Sequence, residues 1–246
     1  MTASNNLSAL APLARSLKKG APSNSVQPGL NLSSLKAELR LRLADSEHGG
    51  ILGREGYISD AENIPIYEVN RPVARFLLLS AYHDGVEDAE TPGLIVKGRP
   101  AVSPCLTFSG YTDDRHLSLE HIAPRSASSG WDVALWENKE LIHRIGNLVL
   151  VQSKANSSLS DRPWNQKRVL YAALSAPSST EARRILDASE TIFRERTQEI
   201  AEMSAHLPHL AAVSKITDDW RASFVQERTR RLLGLAWDQL YPWLEG

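Results

Sequence analysis

Two short runs that suit β-strands restrict the fold of this chain more than any other feature. Residues 117–122 and 147–151 are each long enough for one short strand, and the second run is apolar enough to be buried. Residues 132–143, which lie between them, are expected to be helical. Because the rest of the chain shows helical spacing, the sequence predicts an α+β fold that is mostly helical, with a small core in the order strand, strand, helix.

Apolar residues recur at helical spacing both before and after these two strands. A proline near the start and a glycine after the end delimit the helix predicted at residues 72–83. Two stretches without a period, residues 84–104 and the polar residues between Asn156 and Trp164, are expected to be connections. The further helices predicted are residues 30–44, 164–174, 180–207 and 218–244.

The organisation expected along the chain has four parts. Residues 1–30 are rich in Ser, Ala, Asn and Pro, a composition that does not offset the entropy cost of ordering, so they are expected to be a mobile leader. Residues 31–110 are expected to form a helical N-terminal part packed on the core, and residues 111–175 the core itself. The helices of residues 176–246 are expected to brace that core.

Cys105 is the only cysteine of the chain, which excludes an intrachain disulfide and a zinc site built from several thiolates. Oxygen and imidazole groups would have to hold any metal ion. No uncharged apolar run approaches the roughly 20 residues needed to span a bilayer, and residues 1–19 lack the pattern of a secretory signal. The sequence therefore predicts a cytoplasmic protein without a membrane partner.

The formal net charge of −1 gives no overall attraction to nucleic acid, but the charge is unevenly distributed. Residues 49–114 hold 5 Lys and Arg against 10 Asp and Glu, a net charge of −5. Residues 115–168 hold 8 basic against 5 acidic residues, a net charge of +3. The basic excess therefore falls on the part of the chain that also holds the two predicted strands.

The residues that can carry chemistry lie in these strands and just after them. Hydrolysis of a phosphodiester needs a base that accepts a proton from water, and positive charge beside the phosphate oxygens. His121, with an ordinary pKa of about 6.5, is the best general base in the chain. Glu120 and Asn156 offer a carboxylate and an amide oxygen, which suit Mg²⁺. Because side chains alternate along a strand, Glu120 and His121 share a site only if the strand ends or twists before Pro124.

Three segments in this order resemble the ββα-metal, or HNH, nuclease superfamily. They are the Glu-His-Ile-Ala-Pro run that starts at Glu120, the His-Arg-Ile-Gly-Asn-Leu run that starts at His143, and Asn156 followed by Lys167. The closer resemblance is to the C-terminal nuclease domain of GmrSD-type modification-dependent restriction endonucleases. It extends from about residue 70 to the end of the chain and implies a ββα-metal nuclease core among amphipathic helices.

The resemblance implies a catalytic set made of His121, Glu120, Asn147 and Asn156. His121 would be the general base, Glu120 and Asn156 the protein ligands of one Mg²⁺ or Mn²⁺ ion, and Asn147 the brace of the loop that carries the base. Basic side chains of the same part of the chain are candidates for phosphate contact, with a purely solvated surface position as the alternative. They are Arg125, His143, Arg144, Lys154, Lys167 and Arg168. For His143, a hydrogen bond to the motif loop is an equal alternative.

The function implied is a divalent-metal-dependent endonuclease that hydrolyses DNA in defence against foreign or modified DNA; an RNA substrate stays open. GmrSD-type proteins usually carry an N-terminal nucleotide-dependent sensor domain, whereas this sequence has no Gly-rich phosphate loop. A separate sensor or NTPase protein is therefore an expected partner. The alternative function is a catalytically silent nucleic-acid-binding or interaction module that retains the nuclease fold.

Overall fold

The computed structural model describes residues 32–45, 51, 53–189 and 197–245. The predicted leader, residues 1–30, lies outside this range. Two units are distinct in the fold, one within residues 1–50 and one spanning Ile51–Leu244. In the described part of the chain, no helix is long and apolar enough to cross a membrane.

The first unit contributes one described helix, α1 (Leu32–Ala44). Leucines at helical spacing predict this helix, and the structure confirms it. None of its side chains is buried, and Leu32 remains 56% exposed.

The second unit is mostly helical, and its short strands pair into two antiparallel two-stranded sheets, which confirms the α+β prediction. β1 (Gly85–Glu87) pairs with β2 (Ile95–Lys97), and β3 (Ser118–His121) pairs with β4 (Leu148–Val151). Its helices are α2 (Gly53–Ala61), α3 (Ile66–Val69), α4 (Arg71–Tyr82), α5 (Phe108–Thr112), α6 (Ser153–Leu159), α7 (Trp164–Leu174), α8 (Ser179–Asp187), α9 (Thr197–Glu202), α10 (Pro208–Ser214) and α11 (Ala222–Glu245).

The helices predicted at residues 72–83 and 164–174 are confirmed by α4 and α7. At the start of α4, the side chain of Asn70 accepts a hydrogen bond from the Val73 backbone N–H at 3.1 Å, and Pro72 occupies an early position. Both features fix the entry into this helix. Its buried side chains include Ala74, Leu78 and Leu79, which point into the core.

β4 runs through the core of the second unit and divides its side chains between two apolar clusters. Val149 and Val151 pack with residues of α7, α8 and α10, whereas Leu148 and Leu150 pack with residues of α4 and α11. Successive side chains of a strand point to opposite faces, so a strand that is apolar throughout can anchor two clusters. Burial of each such side chain contributes about 1.5–3 kcal/mol. The strand thereby fixes the segments on either side of it.

The expectation that residues 84–104 form a connection without regular structure is wrong, because β1 and β2 lie within it. Strands of three residues are too short to show a period in the sequence. The connection is also pinned by Asp84, whose carboxylate accepts hydrogen bonds from the backbone N–H groups of Ala101 and Ser103. A polar stretch can thus be well ordered through its side-chain hydrogen bonds.

Residues 132–143 are not a continuous helix, contrary to the prediction. They contain two single 3-10 turns, Val133–Leu135 and Leu141–His143. The side chain of Asp132 accepts from the Ala134 N–H, and that of Asn138 accepts from the Glu140 N–H. Such local hydrogen bonds compete with helix propagation and end each turn early.

The C-terminal segment holds more and shorter helices than predicted. In place of one helix over residues 180–207, α8 ends at Asp187 and α9 ends at Glu202, with residues 190–196 outside the described range. α10 is an element that the sequence does not predict, and it starts at Pro208, which cannot continue a preceding helix. α11 confirms the last predicted helix but starts at Ala222. Of the predicted connection between Asn156 and Trp164, residues 157–159 belong to the end of α6 and the rest joins α6 to α7.

Candidate functional site

The pairing of β3 with β4 places Glu120 opposite Val149 and His121 opposite Leu148. Both side chains are buried, at 6% and 7% exposure, and both line the same cleft. β3 ends at His121, which satisfies the condition that the strand ends or twists before these two neighbours can share a site. The strand end therefore presents a carboxylate and an imidazole side by side.

Glu120 is paired with a buried lysine. Lys167, which α7 supplies and which is 1% exposed, donates a hydrogen bond to Glu120 Oε1 at 2.5 Å and another to the His121 carbonyl at 2.7 Å. Burial raises the pKa of Glu120, and the ammonium opposes that rise. Burial lowers the pKa of Lys167, and the carboxylate opposes that change. Each charge stabilises the other in a place where either alone would be costly.

His121 is held as a neutral imidazole. Burial lowers its pKa to about 3, and the nearby charges of His143, Arg125 and Lys167 act in the same direction. The edge of the Tyr67 ring also lies against it, with ring centres 4.2 Å apart. An imidazole that is neutral at cellular pH has a lone pair available to accept a proton.

A chain of two further side chains fixes the orientation of this imidazole. His121 Nε2 lies 3.3 Å from His143 Nδ1, and His143 Nε2 lies 3.3 Å from a carboxylate oxygen of Glu68. If His143 donates its Nε2–H to Glu68, its Nδ1 can accept from His121 Nε2–H. That assignment leaves His121 Nδ1 with the free lone pair. Two roles are considered for His143, contact with a phosphate and a hydrogen bond to the motif. The geometry places His143 at hydrogen-bond distance from His121 of the motif.

Asn147 closes the loop that follows β3. Its Oδ1 accepts from the Ala123 N–H at 2.9 Å and from Trp220 Nε1 at 3.1 Å, and its Nδ2 donates to the carbonyls of Ala123 and Ile142. The residue is 0% exposed. Because the amide makes four hydrogen bonds inside the protein, it is suited to brace the loop and is not placed to touch a substrate.

Asn156 lies on α6, which follows β4 and completes a strand, strand, helix unit with the two strands. Its Nδ2 donates to Ser118 Oγ at 2.5 Å and to the Leu119 carbonyl at 3.3 Å. A carbonyl only accepts, so this contact fixes which end of the amide is the nitrogen. Oδ1 is therefore the end left for a ligand in the cleft.

The motif cleft, as we name it, has a volume of about 500 Å³ and is lined by Glu120, His121, Asn156, Arg125 and Asp161 among others. In the described residues, no group of three or more His, Cys, Asp and Glu side chains is arranged to hold a metal ion. A cation held by one carboxylate and one amide oxygen, with waters completing its shell, matches the preference of Mg²⁺. The donors present therefore fit this ion better than an ion that needs a full protein cage.

The other predicted phosphate contacts are spread more widely. Arg125 is exposed and lines the motif cleft, whereas Lys154 and Arg168 do not line it, although Lys154 is exposed and Arg168 is half-buried. Arg144 is buried, and burial lowers the pKa of its guanidinium. Lys167 faces Glu120 rather than solvent, so a direct phosphate contact would require it to leave its ion pair.

The structure adds residues to the site that no pattern in the sequence indicates. Tyr67 and Glu68 come from α3, a helix of four residues that is too short to show a period. They reach His121 and His143 from more than fifty residues away in the chain. Arg71, just after α3, stacks over Tyr67 with its guanidinium carbon 4.3 Å from the ring centre. No local sequence signal marks these long-range contacts.

The β3, β4 and α6 unit, with Glu120, His121 and Asn156 converging on one cleft, is consistent with the ββα-metal nuclease class. A model of the family described as GmrSD restriction endonucleases, C-terminal domain, matches residues 54–235, which is well over half of the chain. The chain belongs to this family. A search of curated proteins gives no significant match.

Proposed function

We propose that this chain is a divalent-metal-dependent endonuclease that hydrolyses DNA phosphodiester bonds in the motif cleft. The observation that carries the proposal is the convergence of a neutral imidazole, a carboxylate and an amide oxygen in one cleft. Membership of a restriction endonuclease family supports nuclease activity and a role in defence against foreign or modified DNA. A separate sensor protein that controls the activity belongs to the same proposal.

In the proposed mechanism, His121 accepts a proton from the attacking water through Nδ1, while its Nε2 stays hydrogen-bonded to His143. Glu120 and Asn156 would hold one Mg²⁺ or Mn²⁺ ion, which when bound supplies positive charge to the phosphate and to the leaving oxygen. Asn147 keeps the loop after β3 in place. Arg125, exposed in the cleft, would bind a substrate phosphate.

Lys167 has a different proposed role from the phosphate contact that the sequence suggests. Its ammonium holds one oxygen of Glu120 and the carbonyl of His121 at the same time. The ammonium favours the ionised form of this buried carboxylate, the form that a metal ligand must adopt, against the burial that raises its pKa to about 7. Lys167 is therefore proposed as a positioning residue that supports both site residues from behind.

The same ion pair favours a second candidate function. A lysine on Glu120 Oε1 occupies part of the carboxylate that a cation needs, and it could stand in for the cation altogether. The chain would then be a silent nucleic-acid-binding module with a retained nuclease fold. This candidate predicts nucleic-acid binding that is independent of divalent metal, without cleavage.

Incubation of the purified chain with supercoiled plasmid in Mg²⁺, Mn²⁺, Zn²⁺ or EDTA tests the two functions. The endonuclease predicts nicked and linear products with Mg²⁺ or Mn²⁺ and none with EDTA or with Zn²⁺ alone. His121→Ala, assayed beside the wild type, controls for a contaminating nuclease. Cleavage that persists in EDTA would refute the metal-dependent mechanism. If the chain binds plasmid but cleaves neither plasmid nor an RNA substrate under any of these conditions, the silent module is favoured.

A further inference from the structure

A second depression, with a volume of about 420 Å³, opens beside the motif cleft. We name it the arginine groove, for Arg71 and Arg75 on its wall. Tyr67, Ser118, Leu119 and Asn156 line both the arginine groove and the motif cleft, so the two depressions adjoin. A polymer bound at the motif cleft would therefore extend directly into this groove.

The two arginines lie on the same face of α4, one turn apart. Each guanidinium covers an aromatic ring, Arg71 over Tyr67 and Arg75 over Tyr111, with the guanidinium carbon 4.3 Å from the ring centre. Arg75 also donates hydrogen bonds to the backbone carbonyls of Tyr111 and His116. Arg75 is thus engaged in holding the groove wall together.

Arg71 is not engaged in this way. It is exposed, and within the described part of the chain its guanidinium has the contact with Tyr67 but no hydrogen-bond acceptor and no carboxylate partner. Stacking on the ring fixes the plane of the guanidinium while leaving its N–H donors free. A planar donor that is pre-oriented and unsatisfied is suited to bind a phosphate.

The sign of the charge also distinguishes the groove from the cleft. No Asp or Glu lines the arginine groove among the described residues, whereas Glu120 and Asp161 line the motif cleft. Arg71 and Arg75 therefore give the wall of the groove positive charge that favours an anion. Tyr111, which is 47% exposed, adds an aromatic side chain of the type on which the bases of single strands stack.

We infer that the arginine groove binds one strand of the nucleic acid next to the scissile phosphate, with Arg71 on a backbone phosphate and Tyr111 against a base. This inference rests on the proposed function, because it assumes that the motif cleft receives a phosphodiester. It assigns the groove a single strand, since an exposed tyrosine beside an arginine with free donors fits a backbone with unstacked bases rather than a base-paired duplex.

The test measures binding rather than cleavage, in EDTA, with a fluorescently labelled single-stranded oligonucleotide and the full chain. Each phosphate that a protein neutralises contributes about 0.7 to the magnitude of the slope of log K against log salt concentration for a single strand. Arg71→Gln should therefore reduce the magnitude of that slope by about 0.7. The matched control is Arg183→Gln, an exposed arginine of α8 that lines neither depression, and its slope should equal that of the wild type.

A second variant separates stacking from charge. Tyr111→Leu should weaken binding of the single strand by at least about fivefold, because stacking on an aromatic side chain is removed, with little change in the salt slope. A fully paired duplex of the same sequence should lose much less affinity. Thermal melting of each variant checks that the fold is kept.

Equal salt slopes for Arg71→Gln, Arg183→Gln and the wild type would overturn the inference, as would an equal effect of Tyr111→Leu on single strand and duplex. If poly-glutamate displaced the labelled oligonucleotide as effectively as the unlabelled oligonucleotide does, the groove would be assigned to acidic peptides instead. None of these measurements needs cleavage, so they separate the groove from the proposed nuclease activity. If the chain does not cut plasmid but Arg71→Gln still changes the salt slope, the inference about the groove stands and only the proposed cleavage mechanism is refuted.

Discussion

The described part of the molecule contains two antiparallel pairs of short strands, β1–β2 and β3–β4, and only the second pair carries the candidate site. In β1–β2, the three residues of each strand run from buried to exposed, and seven residues from Asp88 to Leu94 join the strands. In β3–β4, every residue of β4 is buried, and 26 residues from Ile122 to Asn147 join the two strands. Strand pairing alone therefore does not make a site.

The same helix secures both pairs, by different means. On α11, Arg231 donates to Asp88 at 2.8 Å and to the Ile95 carbonyl at the β1–β2 pair, and its side chain is 31% exposed. Arg228, 3% exposed, donates to the carbonyls of Gly146 and Leu148 at the start of β4. The difference lies in burial: Arg228 is buried and hydrogen-bonded to backbone carbonyls, whereas Arg231, in its ion pair with Asp88, is partly exposed. Buried hydrogen bonds of this kind hold the start of β4 in a fixed position, as a site requires.

The largest expected effect follows from His121→Ala, which removes the proposed base from the β3–β4 pair. General-base catalysis is typically worth about 10² to 10⁴ in rate, so plasmid cleavage should fall by that factor. His206→Ala, which changes an exposed histidine, is the control and should keep the wild-type rate. A His121→Ala chain that cleaves at more than about a tenth of the wild-type rate would remove this residue from the mechanism.

The variants Lys167→Met and Arg231→Met compare how much one ion pair contributes to the free energy of unfolding at β3–β4 and at β1–β2. Lys167→Met leaves the Glu120 carboxylate buried without a partner, and removal of one member of a buried ion pair costs about 3–5 kcal/mol. Arg231→Met removes the corresponding ion pair at β1–β2, which is less buried than the pair of Lys167 and Glu120, so its effect should be smaller. The free energy of unfolding in urea measures both.

The double variant Lys167→Met with Glu120→Gln refines this prediction. A neutral amide in place of the carboxylate should recover part of the lost stability, because the main cost is the unpaired charge. Similar stability losses for Lys167→Met and Arg231→Met would show that burial does not distinguish the two strand pairs.

Asn147→Ala should lower stability and cleavage together. It removes the four hydrogen bonds of a fully buried amide, and each buried polar group left unsatisfied costs roughly 1–3 kcal/mol. Asn138→Ala is the matched control, since Asn138 makes one local side-chain hydrogen bond in an exposed turn. If Asn147→Ala slowed cleavage at an unchanged free energy of unfolding, the residue would act in the reaction rather than as a brace.

Much of the β3–β4 region could be predicted from the sequence. An apolar run that is branched throughout predicts β4, and a proline near the start of an apolar run followed by a glycine predicts α4. Chemistry and spacing indicate Glu120, His121 and Asn156, and these three residues do line one cleft. Local patterns succeed where a segment is long or its side chains are of one kind.

The rest of the site depends on contacts that no local pattern encodes. Whether a lysine on a helix is solvated or buried against a carboxylate depends on the partner helix and strand, so the ion pair of Lys167 could not be predicted. The same holds for Glu68, which comes from a four-residue helix. The sequence favours a surface position near a helix end for His209, which is instead 3% exposed, because α10, a helix the sequence does not indicate, carries it into the core.

The smallest expected effect concerns this histidine, which lies between the two strand pairs. His209 Nε2 donates to the carbonyl of Leu150 in β4 at 2.9 Å, and its ring stacks on Tyr82, three residues before β1. Burial lowers its pKa to about 3, with the charges of His116 and Arg228 acting in the same direction. In the unfolded chain the ordinary pKa is about 6.5. The stability due to neutral His209 is therefore complete above about pH 6.5 and declines as the pH falls toward 3.

Below about pH 6.5 the unfolded chain binds one proton that folded His209 does not, so this group lowers the unfolding free energy by at most about 1.4 kcal/mol per pH unit. His209→Gln keeps an N–H donor for Leu150 and cannot titrate, so its stability should decline less steeply between pH 7 and pH 5. Histidines that do not interact with His209, such as His143, titrate in both proteins and cancel in the difference. His206→Gln, the exposed control, should follow the wild-type curve. Parallel curves for wild type and His209→Gln in urea unfolding would show that this histidine is not held neutral between the two strand pairs.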